Sequence, residues 1–301
     1  MYSGGRRQAT GDERLGHDRS SPAYVSGNVP RMSRSRRTLK LALLALVVLS
    51  IALLAVACGG SKEATDTTTQ TQTQTNESDG TTINTRRVLV YFMRDGQIAA
   101  VARRLPRVLA VGRAALNRMI PGPTAKEQSI GLGSTIAGGT RVLSLEIENG
   151  QATLSLSSAL YRSALAQVVF TLTQFATVKK VVVIAGGTTT EPLDRSSFEN
   201  LSPAILVETP SPYEPVSSPL RVTGTANVFE ATFQLEFRDS SDTVIAQKTV
   251  TATSGTGTRG TFDTTLKFSG GSGPATLIAF EYSAEDGSRI HQVEIPIRIS
   301  G

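Results

Sequence analysis

Cysteine and histidine are nearly absent: 301 residues hold one cysteine, Cys58, and two histidines, His17 and His291. A single thiol cannot form an internal disulfide, so any folded part must rest on apolar cores. His17 falls in a leader, which leaves His291 to serve any Ser-His-acid triad. It stands in an alternating, strand-like stretch, and no Gly-x-Ser-x-Gly turn accompanies it. One histidine cannot supply the three or four ligands of a zinc site. The carboxylates do not fill the gap. Asp239 with Asp242, and Glu285 with Asp286, fall in turn-like stretches that lack EF-hand spacing, while Glu146 and Glu148 flank a turn and read as solvated. Gly255-Thr-Gly-Thr-Arg-Gly260 runs into a strand instead of a helix, so it is no phosphate loop. The expectation is a non-enzyme without catalytic residues, metal or cofactor.

The formal charge of +6 is misleading until it is located. Nine of the 31 basic and three of the 25 acidic residues precede Cys58, which leaves 22 of each from Cys58 onward. A neutral chain with no nucleic-acid motif excludes nucleic acid as a partner.

One long apolar run is present, at residues 41–57. It follows Arg34, Arg36, Arg37 and Lys40 and ends in Leu54-Ala-Val-Ala-Cys58. Basic flank, apolar core and small residues before a cysteine make a signal peptide with a lipobox. Cys58 is therefore expected to carry diacylglycerol and to begin the mature chain, lipid-anchored to the cell membrane on its extracytoplasmic face. The alternative is an uncleaved spanning helix, for which 17 residues is short. Within the leader of residues 1–57, either Met32, just before the basic flank, is the translation start or residues 1–31 are a disordered cytoplasmic tail. Residues 58–85 are rich in threonine and glutamine and almost free of large apolar residues, so they predict a disordered tether.

Past residue 85 the pattern changes. Residues 88–93 and 181–184 are continuous apolar runs, expected of central strands. Val108, Val111, Ala115 and Met119 recur at helical spacing, as do Leu160, Ala164, Leu165, Val168, Val169, Leu172 and Ala176. Asn149-Gly150 separates two alternating runs and predicts a hairpin, and Asp95-Gly96 predicts another. Strand, hairpin strand, helix, hairpin, helix and strand give an α+β layer sandwich over residues 86–190. Residues 191–202 read as a polar linker. Over residues 203–301 about seven short alternating strands, among them one through Phe233, Leu235 and Phe237 and one through Ile295, Ile297 and Ile299, predict an all-β sandwich. Pro296 would place the last strand at an edge or bulge. Each module holds its own apolar set and is expected to fold alone.

Several motifs in the first module resemble the GerMN domain of sporulation and spore-germination lipoproteins: Val90-Tyr-Phe-Met-Arg-Asp-Gly96, Ile120-Pro-Gly-Pro-Thr-Ala-Lys-Glu127, Asn149-Gly-Gln-Ala-Thr-Leu154 and Leu165-Ala-Gln-Val-Val-Phe-Thr-Leu-Thr-Gln-Phe175. Gly138-Gly139 departs from the proline-glycine common in that family. Ser218-Pro-Leu-Arg-Val-Thr-Gly-Thr-Ala-Asn-Val-Phe-Glu-Ala231 and Phe280-Glu-Tyr-Ser-Ala-Glu-Asp-Gly-Ser288 resemble the immunoglobulin-like domain of bacterial spore germination. The resemblance implies an α+β GerMN-like domain followed by an immunoglobulin-like sandwich. It also implies a non-catalytic scaffold or assembly factor of the envelope, with protein partners or self-association. The alternative is a module binding cell-wall glycan or a sensor-kinase partner.

One charge feature stands apart. Residues 86–184 hold 13 Lys and Arg against 4 Asp and Glu, and residues 203–301 hold 7 against 11. Arg103, Arg104, Arg107, Arg113 and Arg118 cluster around the first predicted helix as candidate contacts to an anionic envelope polymer, lipid headgroups or an acidic protein. The competing reading is a solvated face complementing the acidic module.

Overall fold

The computed structural model describes residues 84–300. Cys58, the leader and most of the tether lie outside them. No helix among the described residues is long and apolar enough to cross a membrane. Strand outweighs helix throughout.

The first module begins with a hairpin, β1 (Thr85–Arg94) and β2 (Gln97–Pro106). Asp95 and Gly96 both take positive φ, 52° and 77°, the backbone hand that matches strand twist in a two-residue turn. Helices α1 (Val111–Met119) and α2 (Ala125–Gln128) follow. A second hairpin, β3 (Val142–Glu148) and β4 (Gln151–Leu156), turns through Asn149 and Gly150, again with positive φ. Helix α3 (Arg162–Leu172) then crosses to β5 (Lys180–Ala185), which lies parallel to β4, and to the short β6 (Thr188–Thr189).

The two apolar runs lie in different sheets. β1 pairs with β2 alone, whereas β5 sits inside the sheet β3-β4-β5-β6. The cause is what satisfies the outer edge of β1. Gln167 and Thr171 of α3, with Gln174 in the turn just after it, bond the main-chain groups of Tyr91 and Leu89, and Met93 exchanges two backbone bonds with Gly133. With its polar groups partnered, that edge needs no further strand. Helix α3 is accordingly buried on more than one face, Gln167 and Thr171 included.

Helix α1 buries Gly112, Ala115, Leu116 and Met119. Val108, counted in the sequence with this stripe, precedes the helix and is exposed. Helical geometry begins only at Val111, and Leu116 supplies the burial instead. A Cβ at Gly112 would lie 3.2 Å from a Leu145 methyl, so glycine allows α1 to sit close on β3.

The second module is a two-sheet arrangement. β7 (Ile205–Thr209), β9 (Leu220–Ala226) and β12 (Gly260–Leu266) form one sheet, in the order β12-β9-β7. The other has the order β11-β10-β13-β14-β8, from β8 (Pro215–Val216), β10 (Thr232–Asp239), β11 (Val244–Thr251), β13 (Gly273–Tyr282) and β14 (Arg289–Ile299). Phe233, Leu235 and Phe237 point into the core between them, and the Phe233 and Phe262 rings meet edge-on at 4.9 Å. At roughly 1.5–3 kcal/mol per buried large side chain, these residues dominate the stability of the module. β8 covers β14 only at Arg298 and Ile299, so Pro296 lies where its missing N–H costs no ladder bond.

The stretch read as a linker is packed. Arg195–Leu201 forms a 3-10 turn capped by Asp194, and Phe198 is fully buried in the core of the first module. Its neighbour Glu199 reaches the other way, accepting bonds from Arg259 and Asn227 of the second. β7 also serves both sides. Ile205 and Val207 enter the second core, while Leu206 between them enters the first.

Candidate functional site

A dense polar cluster lies where the modules meet. Tyr91 projects from β1, Arg195 from the connecting turn and Glu208 from β7. The Tyr91 hydroxyl donates to Glu208 and accepts from Arg195 Nη2 at 3.0 Å. Arg195 Nη1 donates to the same Glu208 oxygen at 2.8 Å, and Arg195 Nε to Thr173 Oγ1 at 3.0 Å. The guanidinium lies 4.8 Å from the Phe170 ring centroid and 5.3 Å from that of Tyr91, within cation–π reach.

Burial pushes the Tyr91 phenol well above its ordinary pKa; Arg195 pulls the other way and Glu208 adds to the rise. Burial likewise disfavours the charge on Arg195, but Tyr91 and Glu208 outweigh it and raise that pKa. The phenol therefore stays neutral as a donor and the guanidinium stays charged. Each polar group is spent on another, so the cluster is built to clasp.

Three more contacts cross the junction. Arg87 makes a bidentate pair with Glu214, at 2.9 and 3.0 Å, and also donates to the Glu208 carbonyl and Ser211 Oγ. Arg94 donates to the Glu294 carbonyl at 3.0 Å. Lys126 stacks on the Tyr213 ring at 3.9 Å while the Tyr213 hydroxyl donates to the Lys126 carbonyl. Four residues of the basic module thus meet carboxylates, carbonyls or a ring of the acidic one.

The arginines singled out in the sequence divide into distinct groups. Arg103 is not free: it forms a bidentate pair with Glu127 at 2.7 and 2.8 Å, and Glu127 also closes the capping box of α2 through Thr124. Burial works against the charge of Glu127, but bonds from Arg103 and the Thr124 N–H prevail and lower its pKa. Arg113 is half-buried and donates to the Val142 carbonyl at 2.8 Å. Arg104, Arg107 and Arg118 are exposed.

His291 stands on β14 beside an irregularity in its pairing with β13, with φ +53°. Its Nδ1 lies 2.9 Å from the buried carboxylate of Glu281. Among the described residues no three His, Cys, Asp or Glu side chains converge as metal ligands would.

Tyr91, Arg195 and Glu208 were not singled out in the sequence. Tyr91 sits inside an apolar run, and Arg195 in a stretch that reads as linker. The one available signal was a hydroxyl-bearing ring in a run, residues 88–93, otherwise free of polar side chains, since a buried Tyr hydroxyl needs a partner.

Residues 89–191 match the family model for sporulation and spore germination. Residues 204–288 match that for the immunoglobulin-like domain of bacterial spore germination. No curated protein matches the chain. Among solved structures, it is similar to the tandem GerMN domains of the sporulation protein GerM from Bacillus subtilis, with 24% identity, 38% of this chain and 46% of that one covered, and a TM-score of 0.34. The chain thus spans about half the length of that relative. For the first GerMN domain of the same protein the values are 23%, 36%, 86% and 0.30. A putative lipoprotein from Clostridium perfringens gives 18%, 41%, 85% and 0.24. The chain is a two-module protein of the spore-germination type, a sporulation and spore germination domain followed by an immunoglobulin-like domain.

Proposed function

We propose that the protein is a non-catalytic scaffold or assembly factor of the bacterial envelope, held at the membrane by lipid on Cys58. On this reading the first module is an α+β layer arrangement whose helices lie between its two sheets. The observation that carries the proposal is the clasp of Tyr91, Arg195 and Glu208, reinforced by Arg87 with Glu214. It commits the strongest polar groups of the junction to fixing one module against the other, as a spacer presenting two surfaces at a set angle requires. The sporulation and germination families matched by both modules support the same reading.

Two measurements test it. Intact mass of protein extracted from membranes should give a species starting at Cys58 with diacylglycerol attached; an unlipidated species starting earlier would overturn the anchor. Cross-linked pull-down of the full chain from envelope extracts should return discrete protein partners. Retention on cell-wall glycan instead would favour a glycan-binding module.

A further inference from the structure

Leu109 is wholly exposed, at 106% of its reference area. It stands in residues 106–110, all exposed, of which Pro106, Val108, Leu109 and Ala110 are apolar. Behind this loop a groove runs between Val111 and Gly112 on one side and Leu145, Ile147 and Phe175 on the other. A continuous apolar surface of this kind marks an interaction site more often than an idle surface.

Its rim is cationic. The guanidinium of Arg86 lies 5.9 Å from the Phe175 ring centroid, Arg113 lines the groove, and Arg107 is exposed within the loop itself. The carboxylates of β3 do not oppose them. Glu146 and Glu148 alternate with Leu145 and Ile147 along the strand and line a separate hollow with Asn149, Gln151 and Thr153.

The chain also arrives here. The Arg107 N–H donates to the Asn84 carbonyl at 3.1 Å, so the first described residue lies at the foot of the apolar loop. Cys58 is 26 residues upstream, and even a fully extended chain of that length spans only roughly 90 Å.

We propose that this face docks on an anionic phospholipid surface. Val108 and Leu109 sit at the acyl boundary, and the exposed Arg86 and Arg107 lie against headgroup phosphates. The proposal deepens the anchored-scaffold reading and rests on it for proximity to the membrane. Lipid is favoured over an acidic protein because an apolar tip inside a cationic rim, beside the strand that receives the anchored segment, matches the layered chemistry of a bilayer interface.

The sequence has no tryptophan, so Leu109→Trp in the full chain provides a single reporter at a site free of packing. With phosphatidylglycerol vesicles its emission should shift to the blue and be quenched by brominated acyl chains. Both effects should fade toward 1 M salt and be weak with phosphatidylcholine. Adding Arg107→Glu should lower the partition constant at least about fivefold.

Flotation of the same protein with phosphatidylcholine vesicles reads the anchor separately. Solvent-like, unquenched emission from protein that floats with phosphatidylglycerol vesicles would overturn the docking and leave the anchor standing. A blue shift that grows with protein concentration without vesicles would overturn it in favour of a second copy of the chain. Salt-insensitive binding equal on both lipids would overturn the headgroup contact.

Discussion

Gln174 grips Leu89 by both of its main-chain groups: its Oε1 accepts from the Leu89 N–H at 2.7 Å and its Nε2 donates to the Leu89 carbonyl at 2.5 Å. Two residues along β1, Thr171 and Gln167 do the same for Tyr91 between them. Helix α3 and the turn after it thereby present to a strand the donors and acceptors that a neighbouring strand would have offered. Gln174→Leu keeps the bulk and strands both groups of Leu89. At about 1–3 kcal/mol for each unsatisfied buried group, a loss of roughly 2–4 kcal/mol is expected, less whatever water recovers at this partly buried site. Urea denaturation measures the loss, and faster amide exchange at Leu89 than at Val90 would locate it.

Gly224 lies in β9 opposite Val207 and Phe262. A Cβ there would collide with the Leu206 carbonyl oxygen and the Phe262 ring. The obstacle is backbone in a paired strand, which cannot swing aside. Gly224→Ala should therefore cost more than about 2 kcal/mol, seen as a lower melting temperature, whereas Gly257→Ala, with nothing near its Cβ, should show only the penalty of its positive φ.

The junction clasp can be dissected by a double-mutant cycle. Arg195→Met leaves Glu208 with Tyr91 as its only named side-chain partner. Breaking a fully buried pair costs about 3–5 kcal/mol; with the side chains of Arg195 and Glu208 still 26% and 19% exposed, roughly 1–3 kcal/mol is expected after solvent screening. Tyr91→Phe removes one neutral donor and should cost about 1 kcal/mol. Since both touch the same Glu208 oxygen, their effects should not add; additive losses would show that the three groups do not act together.

Acid should loosen the molecule in a defined direction. Burial disfavours the charges on Glu127, Glu199 and Glu214, yet bonds from Arg103, Arg259 and Arg87 respectively hold each pKa below its ordinary value. A depressed folded-state pKa contributes stability that is complete above the unfolded value, about 4.3, and is lost as pH falls through the lower folded values. The urea midpoint should stay nearly level near neutrality and fall once pH drops below about 5. Arg103→Gln should flatten part of that fall by releasing Glu127.

Both hairpins of the first module were legible because Asp95-Gly96 and Asn149-Gly150 admit few other conformations. The alternation of Phe233, Leu235 and Phe237 revealed the second core for a similar reason, since strand geometry sends every second side chain to one face. What escaped was polar chemistry turned inward. Gln167 and Thr171 look like the wet side of a helix until β1 is seen to lack a strand on its outer edge. Arg103 looks like part of a basic surface until α2 brings Glu127 to it from 24 positions away. Phe198 hides in a polar stretch because one aromatic residue makes no periodic pattern. In each case the partner is distant in sequence, where neither periodicity nor composition can register it.

β7 places Ile205 and Val207 in one core and Leu206 in the other. Sliding the strand by a single position would exchange its faces, sending Leu206 into the sandwich and its two neighbours toward the helices. Either core alone would resist that slip; together they lock the strand like a key cut on both edges. Only a shift of two residues would keep those faces, so small adjustments between the modules must come from bending β7 without changing its register.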